Sequence, residues 1–392
     1  MRKLQKGHDK RLIDLLSNVL YEIERYNISI EKAFVKTCSL KRCSKDSEER
    51  ERLFQLTKEF IKNVIRLRCI YGDIGRKNLA RIFLEGTWRD ESSIEPWCIY
   101  SVPKWFYERL RELLGEEAHD LFRSIDKRVI WLRINILKAS EEKIVRSLEE
   151  DGVILERDKD LWYLYKVIDS RKPLREIKAV KDFMAIPQDK ASCLVVEALR
   201  PERNDKILDM SAAPGIKTSL IAMLTEDQAK IYALDISKKR LYIMKELLKK
   251  FGVKSSVDIT LADGRYVPAR EKIFDKTLID APCSSSGAIW KDPSIRLSLL
   301  KKNKIDYYSN IQKDLVREAI KMSRIIVYAT CSLLPEEGEL IVRSFKDQVV
   351  FERPLKKFST GYSKYDPEGL FNRTFPHKDE SEGFFISKMI VI

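Results

Sequence analysis

The sequence predicts an α/β fold, a parallel sheet between helices, preceded by a small α+β unit and an all-helical segment. Two observations carry the sheet. Five short apolar runs, 207–210, 231–235, 257–261, 276–280 and 325–330, are bounded by turns and separated by helical stretches such as 238–251 and 311–323. They lack the polar–apolar alternation of half-exposed strands, so they read as strands covered on both faces. A third observation sets the order: this alternation begins only near residue 205, and what precedes it is patterned differently.

Residues 9–90 read as helical throughout. Leu12, Leu16, Val19 and Ile23 recur at helical spacing, as do Leu53, Leu56, Phe60, Val64 and Leu67. Asp46 or Ser47, before an acidic run, marks a helix start. Residues 91–96 read as a connector. A helix follows from about Val102 to Gly115, then a strand at 131–135, a helix at 140–150, and strands at 153–155 and 162–167. The expected domains are 1–95 (helical), 96–180 (small α+β) and 181–392 (sheet domain).

At 392 residues and 44% hydrophobic content, the chain is long enough for two or three packed domains. No apolar run approaches the roughly 18–20 residues that span a bilayer. The first residues lack the apolar stretch of a secretory signal, so a cytoplasmic protein is expected. Lys plus Arg number 74 against 60 Asp plus Glu, a net charge of +14, of which residues 1–90 hold +8. Such a surface attracts polyanions, nucleic acid above all. The seven cysteines (38, 43, 69, 98, 193, 283, 331) are odd in number and form no CxxC pair. Neither a disulfide framework nor a zinc cluster is expected. With three histidines, none spaced as a metal ligand, any catalysis falls to cysteine or carboxylate chemistry.

Four carboxylates follow four successive strands: Asp209, Asp235, Asp263 and Asp280. Ligands of open α/β sheets sit beyond the carboxyl ends of the strands, so these mark the functional rim. Between the first two lies Ser211-Ala212-Ala213-Pro214-Gly215-Ile216-Lys217, whose small residues let backbone approach a ligand. There is no GxGxxG and no GxxxxGK[ST], which disfavours dinucleotide and P-loop readings. Cys283 follows the fourth strand and Cys331 the fifth. Although 48 residues apart, both thiols fall on the same rim and should be neighbours in space. They sit among polar, small and proline residues rather than on an apolar face, unlike a structural cysteine.

At these residues the chain resembles the Sun/Fmu (RsmB-type) family of RNA cytosine-C5 methyltransferases. The resemblance rests on Leu132-Arg133-Ile134-Asn135, Gln188-Asp189, Ala212-Ala213-Pro214-Gly215, Asp280-Ala281-Pro282-Cys283, Thr330-Cys331-Ser332 and Glu382-Gly383-Phe384-Phe385. It implies a Rossmann-like class I methyltransferase domain that takes S-adenosylmethionine as cofactor. By that resemblance Ser211, Ala212, Ala213, Pro214, Gly215, Ile216 and Lys217 lie along the cofactor's amino-acid moiety. Asp235 binds its ribose, Asp263 lies near the adenine, and Asp280 sits where cofactor and target cytosine meet. Cys331 is the nucleophile and Cys283 assists product release. Ser211 and Ile216 depart from the usual Cys and Gly, and Ile216 cannot adopt a positive φ cheaply. The helical segment more weakly resembles a NusB-like domain, and with the α+β unit it would grip RNA. The implied partner is RNA, ribosomal rather than transfer, bound by a monomer without metal or membrane. The alternatives are a transfer-RNA methyltransferase and a non-catalytic RNA-binding assembly factor. DNA methylation is disfavoured by the Thr-Cys nucleophile.

Overall fold

The computed structural model describes residues 6–41, 43, 46–86, 88 and 94–392. Packing divides the chain into two compact units, Met1–Lys127 with Ser284–Lys304, and Arg128–Cys283 with Ile305–Ile392.

The first unit is helical: Lys6–Tyr26, Ile30–Lys41, Ser47–Tyr71, Arg76–Glu85, Pro96–Ile99, Lys104–Leu114 and Glu117–Ser124. Leu16, Val19, Ile23, Phe60, Val64 and Leu67, spaced at helical periodicity, meet in one buried core. Asp46 caps the third helix, its carboxylate accepting from the amides of Glu48 and Glu49. Of the expected connector, 91–93 lie outside the described residues, and Pro96 opens a short helix. The Ser284–Lys304 segment is tied into this unit. Asp292 accepts from the Ile30 amide, Arg296 pairs with Asp126 at 2.7 Å, and Trp105 Nε1 donates to the Leu299 carbonyl.

The cysteine expectation is corrected here. Cys38 is bridged to Cys43 and Cys69 to Cys98. Their Cα atoms lie 4.9 and 6.0 Å apart, inside the span a disulfide needs. The sequence argument considered compartment and spacing, whereas the turn at the end of the second helix brings Cys43 back to Cys38 and the packing of two helices brings Cys69 to Cys98.

The second unit holds two sheets. β1 (Trp131–Ile134), β2 (Val153–Arg157), β3 (Leu164–Ser170) and β4 (Ala185–Pro187) form an antiparallel sheet in the order β2-β3-β1-β4. The larger sheet contains β5 (Lys206–Asp209), β6 (Lys230–Asp235), β7 (Val257–Leu261), β8 (Phe274–Asp280) and β9 (Ser323–Thr330). These five are parallel, in the order β9-β8-β5-β6-β7. Three further strands, β10 (Val349–Glu352), β11 (Asn372–Arg373) and β12 (Phe385–Val391), were not anticipated from the sequence. β12 pairs antiparallel with β9 and extends that edge. The strand order reverses between β5 and β8, and such a switch point opens the crevice in which α/β sheets bind ligands.

The small sheet is tied to the helices beside the larger one through buried polar contacts. The Arg133 guanidinium, wholly buried, donates to Gln188 Oε1 at 2.7 Å and to Ser219 Oγ at 2.8 Å. Burial pushes its pKa down to about 10, so it stays charged near neutrality. Asn135 Nδ2 donates to the carbonyls of Phe183 and Phe251. Arg133 and Asn135, noted above for their resemblance to the family, thus tie the small sheet to the helices that flank the large one.

Candidate active site

The register explains why the two thiols meet. Asp280, the last residue of β8, lies opposite Ala329 of β9. Cys283 is three residues beyond the first, and Cys331 two beyond the second. Each therefore leaves its strand at the same level, and the sulfurs lie 3.3 Å apart.

Asp280 and Lys217 form the charged part of the site. Lys217, in the first turn of the helix Ile216–Leu224, places Nζ 2.6 Å from Asp280 Oδ2. The same ammonium lies 5.4 Å from the centre of the Phe384 ring. Burial pulls the Lys217 pKa down, but the Asp280 carboxylate more than offsets this, and Cys331 and Glu382 act in the same direction. The lysine is held cationic within electrostatic reach of Cys331. The sequence reading put Lys217 along the cofactor; the structure pairs it with Asp280, the carboxylate that ends β8.

The strand-end carboxylates are not equivalent. Asp209 is 1% exposed and accepts from Thr218 Oγ1 at 2.8 Å. Burial, with a further contribution from Asp280, pushes its pKa up to about 7 although the Thr218 hydrogen bond opposes this. It points into the fold rather than onto the rim. Asp235 accepts from the Ser237 amide at 2.9 Å and pairs with Arg240 Nη1 at 3.1 Å. Beside it, Ile236 is 71% exposed, an apolar surface next to a hydrogen-bond acceptor. Asp263 is bound by Arg265, whose hydrogen bond holds its pKa below the ordinary carboxylate value.

The loop after β5 turns at Gly215, whose φ of +97° is left-handed, and the Ile216–Leu224 helix starts immediately after it. The positive φ thus falls on glycine, and Ile216 is under no strain from it. Ala212 and Ala213 are buried, Ser211, Ile216 and Lys217 partly so, and Pro214 is exposed. Arg240, which pairs with Asp235, also donates to the Ala213 carbonyl, so one side chain links loop and carboxylate. A small-residue loop, a strand-end acceptor and an exposed apolar plate suit a nucleoside cofactor bearing an amino-acid tail.

Sequence reasoning missed several neighbours of the thiols. Tyr308 is half-buried, and its pKa is raised by burial first and then by Cys283. Gln312, one turn further along the helix Asn303–Met322, is buried and donates to the Pro282 carbonyl at 2.9 Å. Glu337 accepts from Ser332 Oγ at 2.6 Å. The four-residue spacing of Tyr308 and Gln312 was visible, but nothing in it distinguished this helix face from an ordinary core face. Among the described residues, no group of three or more His, Cys, Asp or Glu could hold a metal ion.

The chain is similar to known proteins. The family described as 16S rRNA methyltransferase RsmB/F matches residues 196–390, and the RsmF/B-like ferredoxin-like domain matches residues 102–161. The chain is 32% identical over 320 residues to the 25S rRNA (cytosine-C(5))-methyltransferase nop2 of Schizosaccharomyces pombe. The chain belongs to the RsmB/F methyltransferase family, the Sun/Fmu family of the resemblance. The nop2 match covers 74% of this chain and 51% of that protein, so the chain spans about half of that relative's length. Ribosomal RNA small subunit methyltransferase B of Escherichia coli (strain K12) is 30% identical, with 74% of this chain and 66% of that protein covered. Among solved structures, PH0851 superposes with a TM-score of 0.81 at 25% identity, covering 99% of each chain. The RsmB/F family uses S-adenosylmethionine. Among the described residues, no helix is long and apolar enough to cross a membrane.

Proposed function

We propose that this RsmB/F-family chain is an S-adenosylmethionine-dependent RNA (cytosine-5-)-methyltransferase. The observation that carries the reading is the pair of sulfurs, 3.3 Å apart, just beyond the ends of β8 and β9, where Asp280 ends β8 and is paired with Lys217. Cytosine C5 is a poor nucleophile until a thiolate adds to C6. Cys331 Sγ forms that bond, and the electron pair of the C5–C6 double bond moves to C5, which can then accept a methyl group. The cofactor's sulfonium supplies that methyl group. Cys283 then assists loss of the C5 proton; the released pair re-forms the double bond and expels Cys331 as thiolate. Asp280 contacts the cytosine edge, and Lys217, held cationic, orients that carboxylate.

The loop 211–217, Asp235 with Ile236, and Asp263 would hold the cofactor's amino-acid, ribose and adenine portions in turn. The target cytosine must leave its stack to reach the thiols. The basic helical segment and the antiparallel sheet would grip the surrounding RNA backbone. Ribosomal RNA is the favoured substrate because the relatives above are named for it. The protein is expected to act as a cytoplasmic monomer.

The test is transfer of labelled methyl groups from S-adenosylmethionine to unmodified ribosomal RNA, transfer RNA and duplex DNA, with bisulfite mapping of the product. Label at one cytosine of ribosomal RNA is expected. Label in transfer RNA alone would change the substrate, and no label in any of the three would overturn the enzyme.

A further inference from the structure

Two segments carry the thiols, and among the described residues no disulfide fixes their spacing. What holds them is a buried polar chain. Glu337, wholly buried in the turn Pro335–Glu337, accepts at its backbone carbonyl from Tyr328 Oη at 2.8 Å and from Thr330 Oγ1 at 3.0 Å. Its carboxylate accepts from Ser332 Oγ at 2.6 Å. Glu337 thus grips the chain on both sides of Cys331. Its other carboxylate oxygen lies 3.5 Å from Gln312 Nε2, which also donates to the Pro282 carbonyl, immediately before Cys283, at 2.9 Å. Ser309, on the same helix as Gln312, donates to the Glu336 carbonyl at 2.8 Å.

Gln312 is buried, yet its amide oxygen has no partner among the described residues. The side chain is therefore anchored through its Nε2 donor, to the Pro282 carbonyl. Gly338, next to Glu337, has no room for a side chain: a Cβ there would lie 2.9 Å from the Arg373 guanidinium and 2.8 Å from the Phe385 ring. The turn bearing Glu337 is therefore pressed against the fold behind it. Arg373 in turn donates to the Ser332 carbonyl at 2.9 Å.

We infer that Gln312 and Glu337 are positioning residues that brace the Cys283 and Cys331 segments, Gln312 setting the releasing thiol and Glu337 the attacking one. This rests on the roles proposed above for the two cysteines. A group misplaced by about 1 Å can lose on the order of a hundredfold in rate, so loosening either anchor should act on one half-reaction.

Gln312→Leu removes the hold on Pro282 at nearly constant volume, and Ser332→Ala removes the donor that fixes the Glu337 carboxylate. Both are compared with Cys283→Ala and Cys331→Ala in full-length protein on ribosomal RNA. Gln312→Leu is expected to lower kcat at least tenfold with unchanged KM for RNA, and to accumulate a protein–RNA adduct on denaturing gels, as Cys283→Ala does. Ser332→Ala is expected to slow the single-turnover methyl transfer with no adduct accumulating. Opposite adduct behaviour in the two variants is the readout a general loss of packing would not give. Wild-type rates in both, or parallel losses that track the melting temperature, would overturn the brace. Should Gln312→Leu fail to fold, Gln312→Met takes its place under the same criteria. Undiminished methylation by Cys331→Ala would instead overturn the proposed chemistry, which keeps the two failures apart.

Discussion

Asp209 offers a sharp test of the claim that the strand-end carboxylates do different work. Its pKa is raised from 3.8 to about 7 by burial. A raised acid pKa means the folded protein holds a proton that the unfolded chain has released. Stability is therefore fully present below pH 3.8 and is lost as pH rises to about 7. The full shift corresponds to roughly 4 kcal/mol, of which about 2–3 kcal/mol falls between pH 5 and pH 8. Asp209→Asn removes the titration and keeps an acceptor for the Thr218 hydroxyl. Urea unfolding of both proteins at the two pH values should show the variant gaining about 2–3 kcal/mol on the wild type between pH 5 and pH 8. A stability difference that is the same at both pH values would refute the burial argument. Asp209 would then be ionised and solvated, on the rim with the other carboxylates.

The remaining predictions concern the sulfurs. Cys331→Ala should abolish turnover while S-adenosylmethionine binding, followed by calorimetry, stays within about twofold, since nucleophile removal leaves binding groups intact. Cys283→Ala should accumulate a covalent RNA adduct, visible as a retarded band on a denaturing gel that disappears when Cys331 is also replaced. Thiol titration of protein unfolded without reductant should find three free thiols, Cys193, Cys283 and Cys331, the other four being bridged. Reducing the Cys69–Cys98 bridge, which closes a loop of 29 residues, should cost about 3–4 kcal/mol by loop entropy. Calorimetry with and without reductant, using Cys38→Ser/Cys43→Ser protein to isolate this bridge, measures it.

How much of this was legible in the sequence depended on the range of the interaction involved. The five parallel strands were visible because each is a local apolar run with a turn at its end. The meeting of Cys283 and Cys331 followed from one rule, that strand ends share a rim, and the Asp280–Ala329 register delivers it. What the rule cannot supply is side-chain direction. Asp209 and Asp280 end adjacent strands, yet one carboxylate turns inward to Thr218 and the other meets Lys217. The C-terminal strands escaped notice because Phe385–Val391 pairs antiparallel with Ser323–Thr330 across more than 50 residues, with no hairpin signal to announce it. The disulfides and the Gln312–Glu337 brace are hidden for a similar reason: each joins residues through helix or turn packing rather than through a sequence period. Local chemistry could therefore be read at the strand ends, where backbone topology alone decides who meets whom. The supporting shell could not, because there each partner is chosen by tertiary packing, and that is where the spacing of the two sulfurs is held.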